Sequence, residues 1–190
     1  LCLYSFLYFK PQNITITEII MQIRKLTSVK AFVPVISSLL WLSSPVQAED
    51  SPSTTVKRLT MESANTVALA TVVACRKEGV QVTATVVDKN GIVQAVMRDT
   101  LAPTVSIDIS RMKAYTAVNF SADTSALSSR ADTTIGRIDG LVMSAGGAVI
   151  NVGGTIYGAV GVSGAPSGET DEKCAKAGVA AIAEDLEMAD

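Results

Sequence analysis

Histidine is absent from all 190 residues, and that absence decides most of the chemistry open to this chain. Without an imidazole there is no Ser-His-Asp or Cys-His nucleophile, no histidine-ligated zinc and no proximal histidine for a haem iron. Cys75 and Cys174 stand too far apart in the chain to make a thiolate metal site. The carboxylates are scattered, with no pair at a spacing that suggests glycosidic acid–base work. No catalytic residue is therefore assigned.

The stretch with the most local pattern is Thr155 to Ala180, TIYGAVGVSGAPSGETDEKCAKAGVA. It reads as a strand, a turn over Gly164 to Gly168, and a helix opened by acidic residues. Glycines at 158, 161, 164 and 168 do not match the GxGxxG spacing of a dinucleotide site. Glu169, Asp171 and Glu172 suit the positive end of a helix and would repel a phosphate there.

The elements that must position any site follow from the rest of the chain. Thr60 caps a helix running to about Glu78, with Ala64, Val67, Ala68, Thr71 and Cys75 on its buried face. Val80 to Arg98 reads as a hairpin with a type I′ turn at Asn90-Gly91, pairing Lys89 with Ile92, Val86 with Ala95 and Ala84 with Met97. That register puts Val82, Ala84, Val86, Val93, Ala95 and Met97 on one face. The other face mixes Gln81, Thr83, Thr85, Gln94 and Arg98 with Val87, Ile92 and Val96, and suits a pocket, a subunit contact or a half-exposed sheet equally well. A second helix starts at Thr104 or Ser106 and reaches Asn119, with Ile107, Ala114, Tyr115 and Val118 as its apolar stripe and Arg111 and Lys113 off it. Ser121 to Gly140 is polar, with room for one short helix over Thr124 to Arg130 and a surface pair of Arg137 with Asp139. Ala148 to Ser163 forms a second hairpin turning at Gly153-Gly154, apolar on both faces and so expected to be central. Ala175, Gly178, Val179, Ile182 and Leu186 make the buried stripe of the closing helix. Gly178 within that helix costs about 1 kcal/mol against Ala, which points to close backbone approach.

The N-terminal quarter reads as processing sequence. Residues 1–20 look like an upstream extension. Residues 21–48 have the layout of a secretory signal: Arg24, Lys25 and Lys30, then apolar Ala31 to Leu42, then Val46-Gln47-Ala48 as a cleavage site. The apolar run is short of the roughly 20 residues a spanning helix needs. Cleavage after Ala48 would leave a periplasmic or secreted chain, with a polar tether over 49–58 and a single domain over 59–190. That mature part carries 12 basic and 17 acidic residues, a net charge of −5. Nucleic acid and anionic lipid are disfavoured as partners, and no stable membrane insertion is expected. In an oxidising compartment Cys75 and Cys174 can form one disulfide if their helices lie antiparallel; otherwise they are two buried thiols.

Three motifs carry a family resemblance: VVDKNGIVQAVMRD at 86–99, SRMKAYTAVNF at 110–120 and GAVGVSGAPSGETDEKCAKAG at 158–178. Together they resemble the GlcG/HbpS-type haem-binding family, which is also similar to the C-terminal domain of some corrinoid adenosyltransferases. The resemblance implies an α+β domain whose antiparallel sheet, here built from the two hairpins, is flanked by N-terminal, central and C-terminal helices. It also implies a homo-oligomer and, in several members, bound haem. Many members carry a histidine just before the central helix; Val105 falls near that position here. Met97, Met112, Met143, Tyr115, Tyr157, Lys113 and Thr104 remain as iron-ligand candidates, and Arg98 and Lys113 as contacts for a propionate or other carboxylate. Ion pairing of those two with Asp99 or Asp108 is the simpler reading. The ligand-binding set is Arg98, Thr104, Lys113 and Tyr115. The function implied is an exported binder of haem or another small anionic ligand, without catalysis of its own. Two other readings are an envelope interaction or sensory module with no functional pocket, and an enzyme degrading haem or a corrinoid.

Overall fold

A computed structural model describes residues 52–189. The signal layout and the upstream extension fall outside that range. Thr60 accepts a hydrogen bond from Ser63 N–H and starts α1, Met61–Lys77, whose buried face carries the five residues its periodicity selects. Two hairpins follow in chain order: β1 Thr83–Asp88 with β2 Val93–Arg98, and β3 Gly147–Val152 with β4 Thr155–Ser163. Between them lie α2, Ser106–Phe120, and two short 3-10 helices at Thr124–Arg130 and Ile135–Arg137. The chain closes with α3, Gly168–Ala180, and α4, Ala183–Met188.

The hairpins join through β1 and β4 into one antiparallel sheet, ordered β2-β1-β4-β3. The α+β architecture expected from the resemblance is the one observed. β4 is central, as its apolar faces require, whereas β3 is an edge strand, contrary to the expectation for the whole hairpin.

Helices α1 and α3 cover one face of the sheet. Val67, Val82, Val86, Ile150, Val160 and Val162 are fully buried there, each contributing about 1.5–3 kcal/mol of burial free energy. Gly178 lets α3 approach α1, because a methyl group at that position would meet Thr71 Oγ1 and Val67 O. Cys75 and Cys174 are joined in a disulfide that ties the same two helices together. Among the described residues, α2 is the α-helix that packs on the opposite face. Gly161 sits directly beneath it, where a side chain would collide with Ser110 O and Ala114 N. The helix backbone thus rests on the sheet backbone, with Val87, Ala114, Ala117, Val118 and Ala159 packed around the contact.

Several local expectations change. In the first hairpin Gly91 has φ +80° but Asn90 does not adopt positive φ, so the turn is not type I′. Asp88 reorganises it instead: its Oδ1 accepts from Asn90 N–H and Ile92 N–H, and its backbone N–H donates to Ile92 O. A bulge follows. Ala84 pairs with Met97 and Val86 with Ala95 as expected, but Val87 pairs with Val93. This one-residue slip turns Val93 to the α2 side, where it is 42% exposed, and sends Gln94 Nε2 to Leu59 O. The closing helix breaks after Ala180 rather than running on to Leu186. Arg137 donates to the carbonyl of Asp132; among the described residues no ion pair joins it to Asp139.

Candidate functional site

The two flanks of α2 have different chemistry. Residues at 107, 111 and 115 follow the i, i+4, i+8 row and point toward β2, while 109, 113 and 116 point toward β3.

On the β2 flank, Val93, Val96 and Arg98 face the α2 side of the sheet, because their partners are Val87, Thr85 and Thr83. Thr83 and Thr85 are covered by α2 through hydroxyl contacts to Ser106 at 2.6 Å and Ser110 at 2.8 Å. β2, one strand further out, is not. The outcome is a shallow apolar face of Val93, Val96, Ile107 and the half-exposed Tyr115, whose ring lies against Gly91 at the hairpin tip. Leu101 and Val105 extend it, being 77% and 62% exposed. Arg98 reaches over the connecting loop to donate to Ala102 O. It forms no ion pair among the described residues; Asp99 is held instead by Arg76 at 2.6 and 2.9 Å. Hydrogen bonding from Arg76 holds the Asp99 carboxyl below its ordinary pKa.

Thr104 stands at the N-terminal end of this face. Thr60 and Ser167 cap α1 and α3 with their hydroxyls, but α2 begins at Val105 with no side-chain cap. The Thr104 hydroxyl has no hydrogen-bond partner among the described residues, although its carbonyl accepts from Ile107 N–H. It is open to solvent.

On the β3 flank, Lys113 is buried rather than off the packed stripe as its sequence position suggested. Its Nζ donates to Asp171 Oδ2 and to Val162 O, both at 3.0 Å. Asp171 also accepts from Ala165 N–H. Burial outweighs the attraction of Lys113 and holds the Asp171 carboxyl above its ordinary pKa. The next residue behaves oppositely. Burial also opposes ionisation of Glu172, but hydrogen bonds from Ser125, Lys176 and Gly146 N–H more than offset it and hold its pKa low. The acidic start of α3 therefore fastens the loops around Ser125 and Gly146, beyond the helix-dipole role that sequence position assigned to it. A cleft of about 680 Å³ opens above Lys113 and Asp171, lined by Ile109, Met143, Ser163, Gly168 and others.

Of the four sequence-selected ligand residues, the fold brings Arg98, Thr104 and Tyr115 to the β2 flank and sends Lys113 to the other. Neither Arg98 nor Lys113 pairs with Asp99 or Asp108. Among the remaining iron-ligand candidates, Met143 lines the polar cleft, while Tyr157 and Met97 pack in the core under α1 and α3. Sequence reasoning missed Asp171 as the partner of Lys113, 58 residues away. Its only signal was a lysine within an otherwise packed helical face. No group of three or more His, Cys, Asp or Glu among the described residues could hold a metal ion. None of their helices is long and apolar enough to cross a membrane.

The family model described as haem degrading protein HbpS-like matches residues 59–180. Among solved structures, the chain is similar to a double mutant of HbpS from Streptomyces reticuli, at 38% identity and a TM-score of 0.65, covering 73% of this chain and 96% of that one. The protein ORFY of Klebsiella pneumoniae is 26% identical with a TM-score of 0.64, over 68% of this chain and 94% of its own. A structure described as a PduOC:heme complex is 27% identical with a TM-score of 0.61, over 66% and 95% respectively. No curated protein matches in the corresponding comparison.

Proposed function

The chain belongs to the HbpS-like family, and from that premise we propose that it is an exported, oligomeric protein that binds haem on the β2 flank of α2. The observation that carries the reading is the uncovered apolar face bordered by Arg98, Thr104 and Tyr115. Haem needs apolar surface for its macrocycle, a cation for its propionates and an iron ligand. This flank offers the first through Val93, Val96, Leu101, Val105 and Ile107, and the second through the guanidinium of Arg98. For the third, the chain has no histidine, but the Thr104 hydroxyl and the Tyr115 phenol are oxygen donors at either end of the face, and tyrosine ligates haem iron in other proteins. When bound, haem supplies a redox-active iron. The chain's own residues hold it, screen one side of it from water and balance its propionate charge.

The polar cleft is a poorer fit, because the ammonium of Lys113 is already engaged by Asp171. Export is supported by the signal layout over 21–48 and by the bridged cysteines, which suit an oxidising compartment. An exposed apolar edge strand such as β2 also suits a subunit contact, so a neighbouring copy would complete the haem environment.

Titrating the full chain with haem tests this. A saturable Soret band is expected, weakened by Arg98→Ala and shifted by Thr104→Ala or Tyr115→Phe according to which one ligates. A featureless, non-saturating response removes haem from the reading.

A further inference from the structure

The polar cleft on the β3 flank is not used by the proposed haem face, and it contains donors that the fold leaves open. Lys113 has three N–H donors and a residue exposure of 4%. Two are used, toward Asp171 and Val162 O, and the third has no partner among the described residues. Ser163, 8% exposed and lining the same cleft, makes no side-chain hydrogen bond among the described residues. Gly168 lines the cleft as well, at the first turn of α3, where backbone N–H groups have no intrahelical acceptor. These donors open onto the cleft rather than being sealed in the interior, where Gln94 Oε1 is the one buried side-chain polar atom without a partner among the described residues, so they stand ready for an acceptor that enters from solvent.

Charge narrows the acceptor. Lys113 contributes one positive charge, Asp171 and Glu169 two negative ones, and the helix N-terminus roughly half a positive charge. An anion gains nothing there, and a cation would meet N–H and O–H donors. Ile109, Ala131, Met143, Ala145 and Ala165 supply an apolar wall.

We infer that this cleft is a second binding site, for a small uncharged carbonyl compound with an apolar body, whose oxygen accepts from Lys113 Nζ and Ser163 Oγ. Three probes of one shape and different charge decide the class: benzamide, benzoate and benzylammonium. Each is titrated against the ¹⁵N-labelled full chain, following backbone amide shifts. Benzamide should give saturable shifts at Ser163, Gly168 and Glu169, with the two charged probes binding at least tenfold more weakly. Ser163→Ala should weaken benzamide about three- to tenfold, the fold-change for one neutral hydrogen bond. Lys113→Met leaves Asp171 buried and uncompensated, so the double variant Lys113→Met/Asp171→Leu is used to remove the ammonium; it should abolish the benzamide shifts. The inference is overturned if benzamide does not saturate, if either charged probe binds as tightly, or if Ser163→Ala leaves benzamide binding unchanged. Haem titration of Ser163→Ala should match the parent, which keeps failure here separate from failure of the haem reading.

Discussion

The two flanks of α2 are built from one helix and one sheet, yet one is an open apolar face and the other a buried polar network. Position in the sheet makes the difference. Toward β3, the helix meets an irregular segment and the start of α3, which bring Asp171, Glu172 and Ser125 over the sheet edge and enclose Lys113. Toward β2, the loop Asp99–Val105 follows the strand, and Val96 and Ile107 stay 46% and 37% exposed. Enclosure stabilises the first flank and leaves the second available. The proposed site on the open flank would bind through apolar area and one guanidinium; the proposed site on the closed flank would bind through a few oriented donors.

The comparison breaks most sharply at the charges. Lys113→Met should cost about 3–5 kcal/mol, because the Asp171 carboxylate then stays buried without compensation. Arg111→Met, two residues away on the exposed side of the helix, should change stability by no more than about 0.5 kcal/mol. Urea denaturation of the two variants measures the contrast, and equal losses would show that Lys113 is not in the enclosed network. A smaller effect is expected where the flanks share their support. Gly161→Ala drives a methyl group into the α2 backbone and should destabilise by about 1–3 kcal/mol. It should weaken ligand binding on both flanks together, whereas a change confined to one flank would mean that α2 does not rest on Gly161.

Acid titration gives the smallest effect and the most local one. The fold holds Glu172 below its ordinary pKa, so its contribution is present above the usual carboxylate range and is lost as pH falls through the folded value. Asp171 is held above, so its contribution is present below the ordinary aspartate value and is lost as pH rises through the folded one. From about pH 6 to about pH 3, a range that brackets the ordinary Asp and Glu carboxylate values, the stability margin over Glu172→Gln should shrink, and the margin over Asp171→Asn should grow. Slopes of the same sign would show that the two neighbours do not sit in opposed environments.

Much of this arrangement could be read from the chain before folding, because it depends on local periodicity. The buried face of α1, the Thr60 cap, the two hairpins and the close approach at Gly178 all follow from residues a few positions apart. The sites depend on contacts across 23 to 58 residues: Arg76 with Asp99, Thr83 with Ser106, Ser125 with Glu172, Lys113 with Asp171. Helical spacing places a residue on a face but does not say what covers that face. Lys113 therefore read as surface, and Tyr115 and Ile107 read as core. The bulge after Val86 had a similar effect on Val93, since a single added residue exchanges the faces of a strand and carries no strong signature of its own.

Haem titration across three forms of the full chain, the parent, the double variant Arg98→Ala/Thr104→Ala and Ser163→Ala, tests the assignment of the open flank most directly. Saturable binding in the parent and in Ser163→Ala, with at least a tenfold loss in the double variant, is the result expected. Equal haem affinity in all three, or loss only in Ser163→Ala, would contradict it.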